Sequence, residues 1–96
     1  MKDLSELIIV LGHKDDSVRQ NAVESLGRLG DENAIEPLTP IVLKDKNRFV
    51  RQEAINAVKK IGGEKAAQTL TLALKEEKDD LVKDTITKAL ANLHSN

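Results

Sequence analysis

Two stretches of the chain, VRQNAVESLGRLG at residues 18–30 and VRQEAINAVKKIG at residues 50–62, read almost alike at an offset of 32 residues. Residues 15–46 align with residues 47–78 without a gap, and ten of the 32 aligned positions are identical. The apolar pattern continues at the same offset in residues 82–93. A fixed period of roughly 20–50 residues is typical of solenoids, in which each unit buries its apolar face on the next.

Within each unit the apolar residues are spaced as on helices. Val18, Ala22, Leu26 and Leu29 fall on one helical face, and a second stripe begins at Ala34. No stretch alternates with period two for long enough to predict a strand. The sequence therefore predicts an all-α fold, an α-solenoid of antiparallel helical hairpins with about six helices.

Capping residues mark where the predicted helices begin and end. Asp15, Asn47 and Asp79 share one column of the repeat and are good N-cap residues. Gly30 and Gly62 stand where the first helix of each unit should end. The predicted helices lie near residues 3–12, 15–29, 33–44, 47–61, 64–77 and 79–94.

These boundaries predict a single domain over residues 1–96. Its parts are a half unit at 1–14, a repeat at 15–46, a repeat at 47–78 and a half unit at 79–96. Pro40 lies inside the predicted third helix, where its missing N–H should bend or interrupt the helix.

The pattern D-x-x-V-R-x-x-A-x-x-x-L-x-x-L-G-D-x-x-A-I-E-P-L, from Asp15 to Leu38, resembles the short HEAT-like repeat of the phycobilin-lyase type. The resemblance covers nearly the whole chain. It implies an armadillo-type superhelix, with a convex layer of first helices and a concave layer of second helices.

Composition narrows the function classes. The 15 basic and 16 acidic residues give a net charge of −1, and Phe49 is the only aromatic residue. This balance disfavours nucleic acid as a partner, because phosphate binding and base stacking use cations and aromatic rings. The chain has no cysteine and no long apolar run, so we expect no disulfide, no membrane span and a cytoplasmic location.

Two arginines recur at the repeat period, Arg19 and Arg51. We interpret them as structural residues that contact the turns between repeats, because a column present in each unit serves the repeat. An anion-binding ladder is the alternative.

The concave layer supplies the predicted partner-binding face, formed by Glu36, Thr39, Gln68 and Thr71. A solvated polar face is the alternative for these residues.

The segment LSELIIVL carries more aliphatic residues than one helical stripe can bury. Its predicted oligomer edge consists of Leu4, Leu7, Ile8, Ile9, Val10 and Leu11. We expect a homodimer through this edge, or a larger solenoid partner, because an exposed apolar patch often marks an interface.

No catalytic motif is present, and His13 and His94 lack ligand partners at metal spacing. We therefore expect no metal and no cofactor. The predicted function is a protein–protein interaction scaffold without catalytic activity of its own, with a protein partner of unknown identity. The resemblance adds two alternatives: a component of a bilin lyase complex, or a weak nucleic-acid binder in the manner of HEAT-like alkylpurine glycosylases.

Overall fold

The computed structural model describes residues 3–94, and all regular structure in that range is helical. Within residues 3–94, six α-helices and one short 3-10 helix follow one another. The helices are α1 Leu4–Val10, α2 Asp16–Leu29, the 3-10 helix Glu32–Ala34, α3 Ile35–Lys44, α4 Arg48–Ile61, α5 Glu64–Glu76 and α6 Asp80–His94.

The helix ends follow the capping residues of the sequence. Asp15, Asn47 and Asp79 each accept hydrogen bonds from the backbone N–H groups two and three residues further on, at 2.8–3.4 Å. These bonds satisfy N–H groups that have no partner inside the helix. Gly30 after α2 and Gly62 after α4 have positive φ angles of 72° and 71°, which glycine adopts without steric cost.

The predicted interruption at Pro40 is wrong, and the alternative prediction, a bend of the helix at Pro40, stays a prediction. Helix α3 runs from Ile35 to Lys44 with Pro40 inside it, and the irregular backbone lies upstream, in the 3-10 helix Glu32–Ala34. Because α3 starts two residues later than expected, Pro40 falls in its second turn. It removes one hydrogen bond, the one that would end on the Glu36 carbonyl, and the rest of the helix continues.

The helices form two layers. Helices α2, α4 and α6 pack side by side, and α3 and α5 pack beside each other in the second layer. Across the layers, α1 packs on α2, α3 on α4 and α5 on α6. The molecule measures 33 × 27 × 15 Å along its principal axes.

Small aliphatic side chains fill the space between the layers. Helix α4 is central and contributes Val50, Ala54, Ile55 and Val58, none of which is exposed. In α2, a Cβ atom on Gly27 would lie only 3.0 Å from the Cα of Ala57. Glycine at this position therefore lets α2 and α4 approach closely, and the stacking of successive units depends on it.

Candidate functional site

Two arginines, the buried Arg19 and the half-buried Arg51, link the three turns that lead into α2, α4 and α6. Arg19 donates from Nε and Nη2 to the two carboxylate oxygens of Asp45, at 2.8 and 3.0 Å. Its Nη1 donates to the backbone carbonyls of His13 and Lys14, at 2.9 and 3.0 Å. The side chains of Arg19 and Asp45 are 8% and 3% exposed, so this pair ties two turns together away from water.

Arg51 repeats this arrangement one unit later. It donates to the two carboxylate oxygens of Glu77, at 3.0 and 3.2 Å, and to the carbonyl of Asp45, at 2.7 Å. Asp45 and Glu77 are themselves 32 residues apart. The two arginines thus lie in the first turns of α2 and α4 and contact the turns between repeats, and their assignment as structural residues stays a prediction that stability measurements test.

Other acidic groups of these turns are also held by internal contacts. Hydrogen bonds from Asn47 and then from Arg19 lower the pKa of Asp16 below its ordinary value. Hydrogen bonds from the backbone N–H of Val82 and then from Arg48 lower the pKa of Asp79. These carboxylates stay ionised, and neighbouring hydrogen-bond donors within the fold stabilise their negative charge.

Each of the three turns also carries one exposed lysine. Lys14, Lys46 and Lys78 are spaced at the 32-residue period, and none of them forms an ion pair within residues 3–94. Because α2, α4 and α6 pack side by side and neighbouring helix axes lie about 8–10 Å apart, we expect the three lysines to follow one edge of the fold over about 20 Å. We call them the turn lysines. Sequence reasoning missed them because it summed the charge of the chain, although the repeat alignment could have found the column.

Beside the middle turn lysine lies an exposed aromatic residue. Phe49 is 56% exposed, and the Arg48 guanidinium carbon lies 5.1 Å from the centre of its ring. Arg48 also donates to Asp79 at 3.2 Å. The guanidinium is thereby held between the ring and the turn of the next unit.

The predicted partner-binding face is only partly available. Glu36, Gln68 and Thr71 are exposed, but the Thr39 hydroxyl donates to the Ile35 carbonyl at 2.8 Å. That hydroxyl also lies 3.1 Å from the hydroxyl of Thr69, a mostly buried residue that sequence reasoning did not single out. Thr71 likewise donates to the Ala67 carbonyl. A binding role for this face stays a prediction.

The predicted oligomer edge is mostly inside the fold. Leu7 and Leu11 belong to the core, at 7% exposure each, and Leu4 and Val10 pack against it. Ile8 is half-buried, and Ile9 is exposed at 77%. The six residues do not form a continuous exposed surface, because the stripe Leu4, Leu7 and Leu11 packs on α2 and leaves mainly Ile9 outside.

Neither histidine lies in a metal-binding cluster of the described chain, where no three His, Cys, Asp or Glu side chains are grouped to hold an ion. His13 instead accepts a hydrogen bond through Nδ1 from the Asp15 backbone, at 3.0 Å. Between residues 3 and 94 there is also no helix with the length and apolar character needed to cross a membrane.

The chain is similar to parts of solved enzymes. A structure of epoxyqueuosine reductase with a tRNA-Tyr epoxyqueuosine-modified tRNA stem loop is 34% identical over 79% of this chain, with a TM-score of 0.70. An epoxyqueuosine reductase from Bacillus subtilis is 27% identical over 91% of the chain, with a TM-score of 0.77. A selenomethionine-labelled epoxyqueuosine reductase is 34% identical over 79%, with a TM-score of 0.71. The chain spans only 20–28% of the length of these enzymes, and no curated protein matches it.

These likenesses correct three predictions. A scaffold without catalytic activity is wrong as the functional class, because the similar structures are parts of an enzyme. The same structures contradict the prediction that the chain is not an enzyme, and they give no support to the bilin-lyase alternative. The prediction of a protein partner, with nucleic acid disfavoured, is also wrong, because one similar structure was determined with a tRNA stem loop. The inference from net charge failed since a sum over the chain does not report where the charges lie.

The predicted fold class and the predicted resemblance are confirmed. The described residues form six α-helices in stacked layers, and a family model of HEAT repeats matches residues 4–91. With nearly the whole chain matched, this protein belongs to the HEAT repeat family.

Proposed function

We propose that this chain is a tRNA-contacting helical part of a tRNA-modifying enzyme of the epoxyqueuosine reductase kind. The observation that carries the proposal is its 34% identity to a reductase structure that holds a tRNA stem loop. The catalytic chemistry is proposed for the enzyme, and RNA binding for this chain. A cytoplasmic location, where tRNA is modified, is part of the same proposal.

The turn lysines supply the surface that such binding requires. Lys14, Lys46 and Lys78 are exposed and form no salt bridge among the described residues, although Lys46 interacts electrostatically with Asp16, and long flexible stems carry their charges outward. Each strand of double-stranded DNA carries one phosphate per roughly 3.4 Å of helix axis, and each strand of an RNA stem likewise carries one phosphate per nucleotide. An RNA stem that lies along an edge about 20 Å long therefore presents several phosphates to it, and three lysines on this edge would neutralise about three of them.

The net charge of −1 does not oppose this mode of binding. Asp45 is buried under Arg19, Glu77 is paired with Arg51, and Asp79 caps α6 and accepts from Arg48. Charges further away are screened over about 8 Å at physiological ionic strength. Asp15, Glu76 and Asp80 remain exposed beside Lys14 and Lys78, so the attraction of the RNA backbone should be strongest at the middle turn, which carries Lys46.

Within an enzyme, contacts of this kind hold the substrate where the chemistry takes place. Phosphate contacts fix the register and orientation of the nucleic acid without reading its sequence. Binding energy from parts of the substrate far from the reacting group lowers the entropic cost of bringing that group to the active site. This chain would thus position the stem, so that the modified nucleotide reaches the catalytic part of the enzyme.

The test is binding of a fluorescently labelled tRNA stem loop, measured by anisotropy over a series of salt concentrations. The triple variant Lys14→Ala, Lys46→Ala, Lys78→Ala should bind more weakly at low salt. For this variant, the slope of log affinity against log salt concentration should be less steep by up to about 3, because each lysine that neutralises a phosphate adds roughly one to the slope.

The matched control is Lys60→Ala, Lys65→Ala, Lys75→Ala, which removes three exposed lysines that form no salt bridge among the described residues and lie outside the turns that lead into α2, α4 and α6. This control should retain the affinity and the salt dependence of the original chain. The proposal is wrong if the original chain shows no binding at low salt. Equal losses of affinity in the two triple variants would contradict the assignment to the turn lysines.

A further inference from the structure

We propose that Phe49, backed by Arg48, is a stacking platform for an unpaired base of the bound RNA. This inference rests on the proposed function and adds to it. The turn lysines contact the phosphate backbone of a stem, whereas a stacking residue selects RNA that presents an unpaired base. The platform would therefore make the chain prefer a stem loop over a plain duplex.

The first argument is the exposure of Phe49. It is the only aromatic residue of the chain, and more than half of it is exposed. At the same position of the neighbouring units stand Ser17, which is exposed, and Leu81, which is 59% exposed. The repeat does not bury this position, so packing within the fold does not account for a phenylalanine there.

The second argument is that the platform is preorganised. The backbone N–H of Phe49 donates to the Asn47 side chain at 2.8 Å, which holds the residue in the first turn of α4. The Arg48 guanidinium lies against the ring and is anchored to Asp79. A ring held in this way loses little freedom when a base stacks on it, so more of the stacking energy appears as affinity.

The third argument is charge complementarity around the ring. The segment that leads into α4 exposes Lys44, Lys46 and Arg48, while Asp45 between them is buried against Arg19. An apolar ring that contacts one cation and is close in sequence to two more suits a ligand that brings an aromatic face and a negative charge together. An unpaired nucleotide is such a ligand, since its base stacks on the ring while its phosphate contacts the lysines.

The experiment compares a tRNA stem loop with a blunt duplex of the same stem sequence, using the variants Phe49→Ala and Phe49→Trp. Phe49→Ala should weaken stem-loop binding by about 5- to 100-fold and leave duplex binding unchanged. Phe49→Trp should retain stem-loop affinity. Because the chain has no other tryptophan, the fluorescence of the introduced indole should be quenched by the stem loop and not by the duplex. Leu81→Ala is the control and should leave both affinities unchanged.

The outcomes separate this inference from the proposed function. If Phe49→Ala binds the stem loop as tightly as the original chain, while removal of the turn lysines weakens binding, RNA binding stands and stacking is wrong. If Phe49→Ala weakens stem-loop and duplex binding equally, the platform is also wrong, because a duplex interior offers no unpaired base. Absence of binding to both RNAs by the original chain would remove both proposals.

Discussion

At the scale of single residues, the chain contains exposed and buried ion pairs, and Arg19 forms a buried one. Arg28 and Glu24 form an exposed pair at 3.5 Å, with side chains 67% and 50% exposed. Arg19 and Asp45 are nearly buried, and the guanidinium also satisfies two backbone carbonyls. Its hydrogen bonds with Asp45 raise the pKa of Arg19 further above its ordinary value, so the group stays charged.

Replacing Arg19 should therefore destabilise the fold strongly. Arg19→Ala leaves the Asp45 carboxylate buried without its partner, and the expected decrease in the free energy of unfolding is about 3 kcal/mol. Urea unfolding followed by circular dichroism measures it as a lower midpoint with an unchanged slope. Arg28→Ala is the control and should change the free energy by no more than about 0.5 kcal/mol. Similar small decreases in both variants would show that the buried pair adds little to stability.

At the scale of elements, α3 is the helix that the sequence predicted least accurately. The 32-residue period and the caps at Asp15 and Asn47 were enough to predict most helix ends within one or two residues. They did not predict the 3-10 helix Glu32–Ala34, because no sequence signal separates that turn from the start of an α-helix. The effect of Pro40 was overestimated for a related reason. Packing of Leu38 and Val42 in the core holds the helix across the missing hydrogen bond.

Restoring that hydrogen bond should stabilise the chain. Pro40→Leu, which copies Leu72 of the next unit, supplies an N–H to the Glu36 carbonyl and removes the ring clash. The expected gain is between about 1 and 3 kcal/mol, reduced by the greater freedom of the unfolded chain. Thermal unfolding measures it as a higher midpoint. Pro37→Ala is the control, because Pro37 lies in the first turn of α3, where an N–H has no helical partner, and it should give no such gain. A lower midpoint for Pro40→Leu would show that the proline suits the observed helix.

At the scale of the whole molecule, the architecture was predictable and the binding surface was not. A solenoid repeats one set of contacts, so the alignment of residues 15–46 with 47–78 already contains its layers. A surface depends on which charges remain free after folding. Lys46 and Asp45 are adjacent in sequence and cancel in a sum. The structure buries Asp45 under Arg19 and leaves Lys46 exposed.

The same architecture predicts how stability is distributed along the chain. Helix α4 packs against α2, α3, α5 and α6, whereas the seven-residue α1 packs mainly on α2. In a solenoid each unit is held by its neighbours, so a terminal helix opens locally while a central helix opens only with the whole fold. Amide hydrogen exchange should therefore be slowest in α4 and much faster in α1.

Two core substitutions test this distribution. Ile55→Val removes one buried methylene from α4 and should lower the exchange free energy of α2, α4 and α6 together, by about 0.5–1.5 kcal/mol. Leu7→Ala should abolish protection in α1 and leave α4 unchanged, because α1 can detach while α4 stays packed among the helices around it. If Leu7→Ala lowers protection in α4 as much as in α1, the chain unfolds only as one unit. The two layers would then be coupled more tightly than nearest-neighbour packing between stacked helices requires.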